Sequence, residues 1–299
     1  MVTSLDIGSF SHASALLREL SLRNREYARR LSLPCREGRG DSPVICFLPS
    51  DDSMQHGNFL PQSYRAILRS DSWRRRLAKP HTSAYHALPR EGLRWHELDS
   101  CNSSDALLMN IFCYPGVTRA GVVCDLLGID CASKPHFGFK ARVRMTNDTA
   151  DRTEVDMKIG ELLVEAKLTE ANFQTKPVEV VESYRDFCEI FDVADLPRRN
   201  GSYLSYQLIR NVLAAHAGQG SFCVIVDARR PDLREAWYAV MRCIRPHELR
   251  MRCKILTWQE LACTLPPRVQ KFLGEKYGIF PGEDAAQAFQ RALAAEEIT

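Results

Sequence analysis

The sequence predicts an α/β fold, a mixed central sheet flanked by helices, with a helical extension at its N-terminus. Three observations predict it. Two alternating runs meet at Gly160-Glu161 and read as a β-hairpin. An apolar run over 222–226, a helical stretch over 231–244 and a second apolar run over 254–258 make a strand–helix–strand crossover, so part of the sheet is parallel. Helical periodicities precede, separate and follow these strands, as in a layered α/β sandwich.

The elements follow in order. Ser11 or Ser14 caps a helix reaching about residue 31, with Ala13, Leu16, Leu17, Leu20, Tyr27, Ala28 and Leu31 on one face and Arg18, Arg25 and Arg29 away from it. Residues 34–62 are rich in Pro, Gly, Ser and Asp and read as a long connection. A short basic helix over 63–77 is stopped by Pro80. Ser103 and Ser104 cap a buried helix over 105–113, residues 137–145 alternate as a strand, and 146–152 are a polar turn. Beyond the hairpin come helices over 178–191 and 202–216, the crossover, and helices near 258–264 and 267–277. The expected division is 1–92 as a basic helical region, 93–282 as the α/β domain and 283–299 as an Ala-rich helical tail.

With 299 residues and 34.0 kDa, a compact body buries about three-quarters of its unfolded surface, so no disulfide or structural metal is required. Eleven scattered cysteines without a C-x-x-C pair argue against a secreted disulfide framework and a zinc ribbon, and most are expected to be small buried hydrophobes. No apolar run is long enough to span a bilayer and the opening residues lack a signal-peptide pattern, so the expectation is a cytoplasmic chain without a membrane partner. The net charge of +3 is slight, but residues 1–80 carry an excess of five positive charges, mostly in two Arg-rich stretches. Arg74, Arg75 and Arg76 in the second could track phosphates or be a solvated helix face. Trp73 beside them reads as packing or as a base-stacking ring. No P-loop, G-x-S-x-G elbow or dinucleotide glycine pattern occurs.

The hairpin carries the chemistry. Gly160 at the first central position suits a type II′ turn, which sets Ile159 against Leu162, Lys158 against Leu163 and Asp156 against Glu165. Alternation then sends Val155, Met157, Ile159, Leu162, Val164, Ala166 and Leu168 to the core face, and Glu154, Asp156, Lys158, Glu165 and Lys167 to the other. Opposed carboxylates repel by some tenths of a kcal/mol or more, and a divalent cation, Mg²⁺ or Mn²⁺, would compensate them. Lys167 could hold the attacking water or neutralise charge on a phosphorane. A plainer alternative is a strand pair decorated with ion pairs, such as Glu154 with Lys167.

Asp156 followed by Glu165-Ala166-Lys167 resembles the signature of the PD-(D/E)XK nuclease superfamily, and the only two [DE]-x-K matches in the chain lie on this hairpin. A narrower likeness over about residues 95–260 is to bacterial restriction-endonuclease-like proteins. It rests on Ser103-Ser-Asp-Ala…Asn110, Glu165-Ala-Lys-Leu-Thr-Glu170 and Tyr206-Gln-Leu-Ile-Arg-Asn211. Asp105 stands where Gln is expected, and Lys140 where an acid is. The resemblance implies a restriction-endonuclease-like fold and metal-dependent phosphodiester hydrolysis. In it Asp156, Glu165 and the Ala166 carbonyl hold the ion, Lys167 acts on the water, and Gln207 is a further catalytic residue. Helical spacing puts Tyr203, Gln207 and Arg210 on one stripe, with Arg210 a candidate nucleic-acid contact. The expected partner is DNA, and a homodimer is left open. The competing readings are a nuclease fold that binds nucleic acid or a protein without cutting, and a metabolic α/β enzyme with a deep apolar pocket elsewhere.

Overall fold

The computed structural model describes residues 11–39, 43–50, 54–81, 95–284 and 287. The expected boundary at 92 and nearly all of the tail over 283–299 lie outside the described residues.

Ser11 accepts the Ser14 amide and starts α1 (His12–Arg30), whose Leu16, Leu20, Tyr27 and Ala28 are buried. Leu31 is exposed instead, because the helix ends at Arg30 and the chain turns at Ser32, φ +50°. The expected connection over 34–62 contains an antiparallel pair, β1 (Cys35–Glu37) with β2 (Ile45–Phe47). All three residues of β2 are buried, so packing overrides the polar flanks. The basic helix expected over 63–77 is broken at Ser70, whose backbone is extended. It becomes α2 (Pro61–Arg69), α3 (Asp71–Arg74) and a 3₁₀ turn over Arg75–Ala78.

Ser103 caps α4 (Ser104–Phe112), every residue of which is buried, and α5 (Gly121–Leu127) follows. Next come β3 (Pro135–Lys140), the short pair β4 (Val143–Arg144) and β5 (Ala150–Asp151), and the hairpin β6 (Glu154–Ile159) and β7 (Leu162–Ala166). After β8 (Lys176–Pro177), the helix expected over 178–191 is two short ones, α6 (Val178–Glu182) and α7 (Phe187–Ile190).

The helix expected from 202 starts later. Asn200 and Gly201, at φ +49° and +69°, turn β9 (Arg198–Arg199) back into β10 (Ser202–Tyr203), and α8 (Tyr206–Ala217) begins after left-handed Ser205. Tyr203 therefore leaves the predicted stripe and is fully buried on a strand. The chain continues through β11 (Ser221–Val226), α9 (Pro231–Met241), α10 (His247–Met251), β12 (Cys253–Thr257), α11 (Trp258–Ala262) and α12 (Pro267–Tyr277).

The central sheet has the order β12-β11-β7-β6-β3, parallel from β12 through β11 to β7 and antiparallel through β6 to β3. Both faces are covered. Met157, Ile159, Leu162, Val164 and Ala166 pack with residues of α1, α4 and α12, while Leu163, Phe222 and Val224 pack with those of α8 and α9. On α1, Asn24 donates to the Lys276 carbonyl of α12 at 3.0 Å, tying the two ends of the described chain together. Six of the eleven cysteines are buried and all are free, so the expectation of apolar packing holds for the majority.

Candidate active site

The hairpin forms in the expected register, Ile159 with Leu162, Lys158 with Leu163 and Met157 with Val164. Gly160 has φ +55° and Glu161 is not among the positive-φ residues, as a type II′ turn requires. Away from the turn the ladder ends at the Met157–Val164 pair, so Asp156 and Glu165 are not a paired rung. Asp156 instead accepts the Ala166 amide on Oδ2 at 2.8 Å.

The reason lies on the next strand. Gly138 sits between the Phe137–Met157 and Phe139–Val155 pairs, opposite Asp156, with φ +65°. There the facing switches. Met157 and Phe137 pack on the α1/α4 side, whereas Val155 and Phe139 pack beneath α8. Val155 thus leaves the core face that simple alternation gave it. Half-buried Asp156 lies at the switch, where carboxylates from both sides are felt.

Glu165 is 1% exposed and both its oxygens are engaged. Oε1 accepts from Lys167 Nζ and Gln207 Nε2, each at 2.8 Å, and Oε2 accepts from Asn211 Nδ2 at 2.9 Å. Gln207 and Asn211 lie four residues apart on α8, one helical turn, which is why both reach the same carboxylate. The Lys167 backbone is pinned on both sides: its amide donates to Ile225 and its carbonyl accepts from Trp258 Nε1 at 3.0 Å. The Leu168 carbonyl accepts from buried Arg230 Nη1 at 3.0 Å, and its amide donates to Glu170, which also accepts from Ser104 Oγ at 2.5 Å.

Burial, and then the carboxylates of Glu165 and Asp105, push the Asp156 carboxyl well above its ordinary pKa, against weaker opposition from Lys167 and the Ala166 amide. Burial works against the charge of Lys167, but Glu165, Glu170 and Asp156 outweigh it and raise its pKa, holding the ammonium protonated. Asp105, buried on α4, accepts from Arg76 Nη2 at 2.9 Å and Lys79 Nζ at 2.7 Å. Arg76 also donates to Glu154 at 2.7 Å and lies over Gly138, where a Cβ would collide with its guanidinium. The alternative Glu154–Lys167 pair is not formed. Each residue has another partner, Arg76 and Glu165 respectively.

Asp156, Glu165, Ala166, Lys167 and Gln207 are therefore brought together. The arginines are not. Arg76 is consumed by Asp105 and Glu154, while Arg74 and Arg75 stay exposed, Arg74 pairing with Asp71. Arg210 is 1% exposed, its guanidinium spent on Asp151, Asn211 and the Thr153 carbonyl, so no phosphate reaches it. Asp151 also accepts from Thr153, Tyr184 and Tyr206, and against burial the bonds from Thr153 and Tyr184 with the charge of Arg210 pull its pKa down to about 2. Trp73 donates to the Pro135 carbonyl at 3.0 Å and meets Phe137 edge to face, a packing role. Lys140 is exposed and supplies no third acid. Sequence reasoning quoted Asn211 and Glu170 without giving them roles, and missed Lys79 and Arg230, whose partners lie tens of residues away.

The donor set suits one hard divalent cation held by Asp156, Glu165 and the Ala166 carbonyl, with water completing its shell. Two observations fit it. Negative charge around Asp156 is undercompensated, and Gln207 Oε1 beside Glu165 is buried without a partner. Among the described residues no group of three or more His, Cys, Asp or Glu could hold an ion, so the backbone carbonyl would be needed.

A family model described as Restriction Endonuclease associating with ARP matches residues 25–278. The chain belongs to this family. The match takes in α4, the hairpin and α8, so every residue of the site lies within it. Its mixed five-stranded sheet flanked by helices is the fold expected from the resemblance, and the restriction-endonuclease-like reading holds at that level. No curated protein and no solved structure matches the chain. Among the described residues no helix is long and apolar enough to cross a membrane.

Proposed function

We propose that the chain is a metal-dependent nuclease of the PD-(D/E)XK type that hydrolyses phosphodiester bonds in DNA. The observation that carries this reading is the meeting of Asp156, Glu165 and Lys167 at the open end of the hairpin ladder, with Gln207 above them. Asp156, Glu165 and the Ala166 carbonyl would hold Mg²⁺ or Mn²⁺, which when bound supplies Lewis-acid polarisation of phosphoryl oxygens. Lys167 keeps a protonated ammonium beside them, able to hold a water for attack or offset charge on the pentacovalent phosphorus. Gln207 and Asn211 fix the orientation of Glu165. Exposed Arg74 and Arg75 remain available to a DNA backbone. The family description names an association with ARP, so a second protein supplying target recognition is compatible with this reading.

A nuclease fold that binds without cutting has one observation in its favour: both oxygens of Glu165 are already hydrogen-bonded within the chain. One experiment separates the two readings. Purified protein is expected to nick or degrade plasmid DNA with Mg²⁺ or Mn²⁺ and not in chelator, and Asp156→Asn is expected to lose at least about 10²–10³-fold in rate. Equal activity in both preparations, or none with either metal, contradicts the nuclease.

A further inference from the structure

Two concavities are lined by the chain on and just after β3. One of about 370 Å³ is lined by Lys134, His136, Phe139, Lys158 and the hairpin tip. The other, of about 540 Å³, is lined by Arg142, Arg144, Arg185 and the end of α8. They are near neighbours in the chain, since Phe139 lines the first and Ala141 the second.

Five lysines and arginines line the pair against two acids, Glu161 and Asp148. Those acids are rim groups, 72% and 89% exposed, in pairs with Lys158 and Arg185 at 3.0 and 2.6 Å. Exposed pairs of this kind contribute little and give way to a polyanion. Lys134, Arg142 and Arg144 are exposed and have no side-chain partner among the described residues. Protecting a bare sheet edge calls for cations on the edge strand, and none of the five lies on β3. Lys134 and Arg142 flank it, Arg144 is on β4, Arg185 lies between α6 and α7, and Lys158 is on the inner strand β6.

We propose that these two concavities grip the phosphodiester backbone of duplex DNA flanking the cleavage site. Lys158 stands two residues from Asp156 on the same strand, roughly 7 Å along it toward the hairpin tip, so the cationic surface starts about one hairpin length from the carboxylates. This assignment rests on the nuclease reading. It moves the main electrostatic footing from the Arg74–Arg76 stretch, where Arg76 is already neutralised, to the cations lining these concavities.

The test is binding of a short labelled DNA duplex by fluorescence anisotropy in chelator, across a range of salt, where cleavage does not intervene. The full-chain triple variant Arg142→Ala/Arg144→Ala/Arg185→Ala is expected to bind about tenfold or more weakly and to flatten the log–log salt slope by about 2–3, near 0.9 for each phosphate no longer neutralised. The triple Arg→Lys variant keeps the charge and is expected to keep the wild-type slope, which guards against a folding artefact. Wild-type affinity and slope in the alanine variant overturn the groove while leaving the nuclease untouched. A wild-type protein that does not bind DNA at all overturns both.

Discussion

Lys167→Met is expected to reduce metal-dependent DNA cleavage to background and to destabilise the fold by about 3 kcal/mol or more. Lys167 and Glu165 are 5% and 1% exposed and 2.8 Å apart, and truncating one partner of a buried pair typically costs about 3–5 kcal/mol because the other charge is stranded. The loss should fall toward the lower end, since Gln207 and Asn211 still donate to Glu165. The double variant Glu165→Gln/Lys167→Met carries no stranded charge and should recover most of that stability while remaining inactive. Urea unfolding of wild type, the single variants Lys167→Met and Glu165→Gln, and the double variant in chelator closes the cycle. A single variant as stable as wild type would show that the two charges are not coupled.

Lys276 provides the second large effect, on stability and away from the site. It is fully buried against α1, its ammonium donating to Asn24 Oδ1 at 2.5 Å and 3.8 Å from the centre of the Phe47 ring. Burial lowers its pKa to about 7, with Cys101 and Cys35 opposing the shift only weakly. The folded chain therefore releases a proton that the unfolded chain keeps up to the ordinary lysine range. Below about pH 7 both states are protonated and the full penalty of burying the charge applies. From about pH 7 to 10 the unfolded state binds more protons, so this residue makes stability rise with pH. Lys276→Met should remove that rise and stabilise the protein at neutral or lower pH by a few kcal/mol, less about 1–3 kcal/mol for the donor lost at Asn24. Denaturant unfolding of both proteins between pH 6 and 9.5 gives the difference directly, and parallel curves would contradict a neutral Lys276.

Much of the site was legible because a hairpin is local. A glycine turn and period-two alternation are enough to pair residues 157–159 with 162–164, and they bring Asp156 and the E-x-K triplet to one end. Where the ladder stops was not legible, because that depends on Gly138 on a different strand and on Arg76, nearly eighty residues before Glu154 in the chain. Arg210 misled for a related reason. An arginine on a polar stripe looks free to meet a phosphate, but Asp151, fifty-nine residues earlier, folds back and claims it. The start of α8 was different. Asn200-Gly201 is a strong hairpin signal in its own right, and the apparent helical pattern from 202 overrode it. The crossover from β11 to β12 was read correctly because a buried strand, an amphipathic helix and another strand leave few arrangements.

The most direct probe of the shared-ion claim is anomalous scattering from crystals soaked in Mn²⁺. An ion should be found between Asp156 and Glu165 with the Ala166 carbonyl in its shell, its oxygen ligands at about 2.0–2.6 Å. Manganese bound only at other places, or no ion at saturating Mn²⁺ with Lys167 still closed onto Glu165, would contradict it.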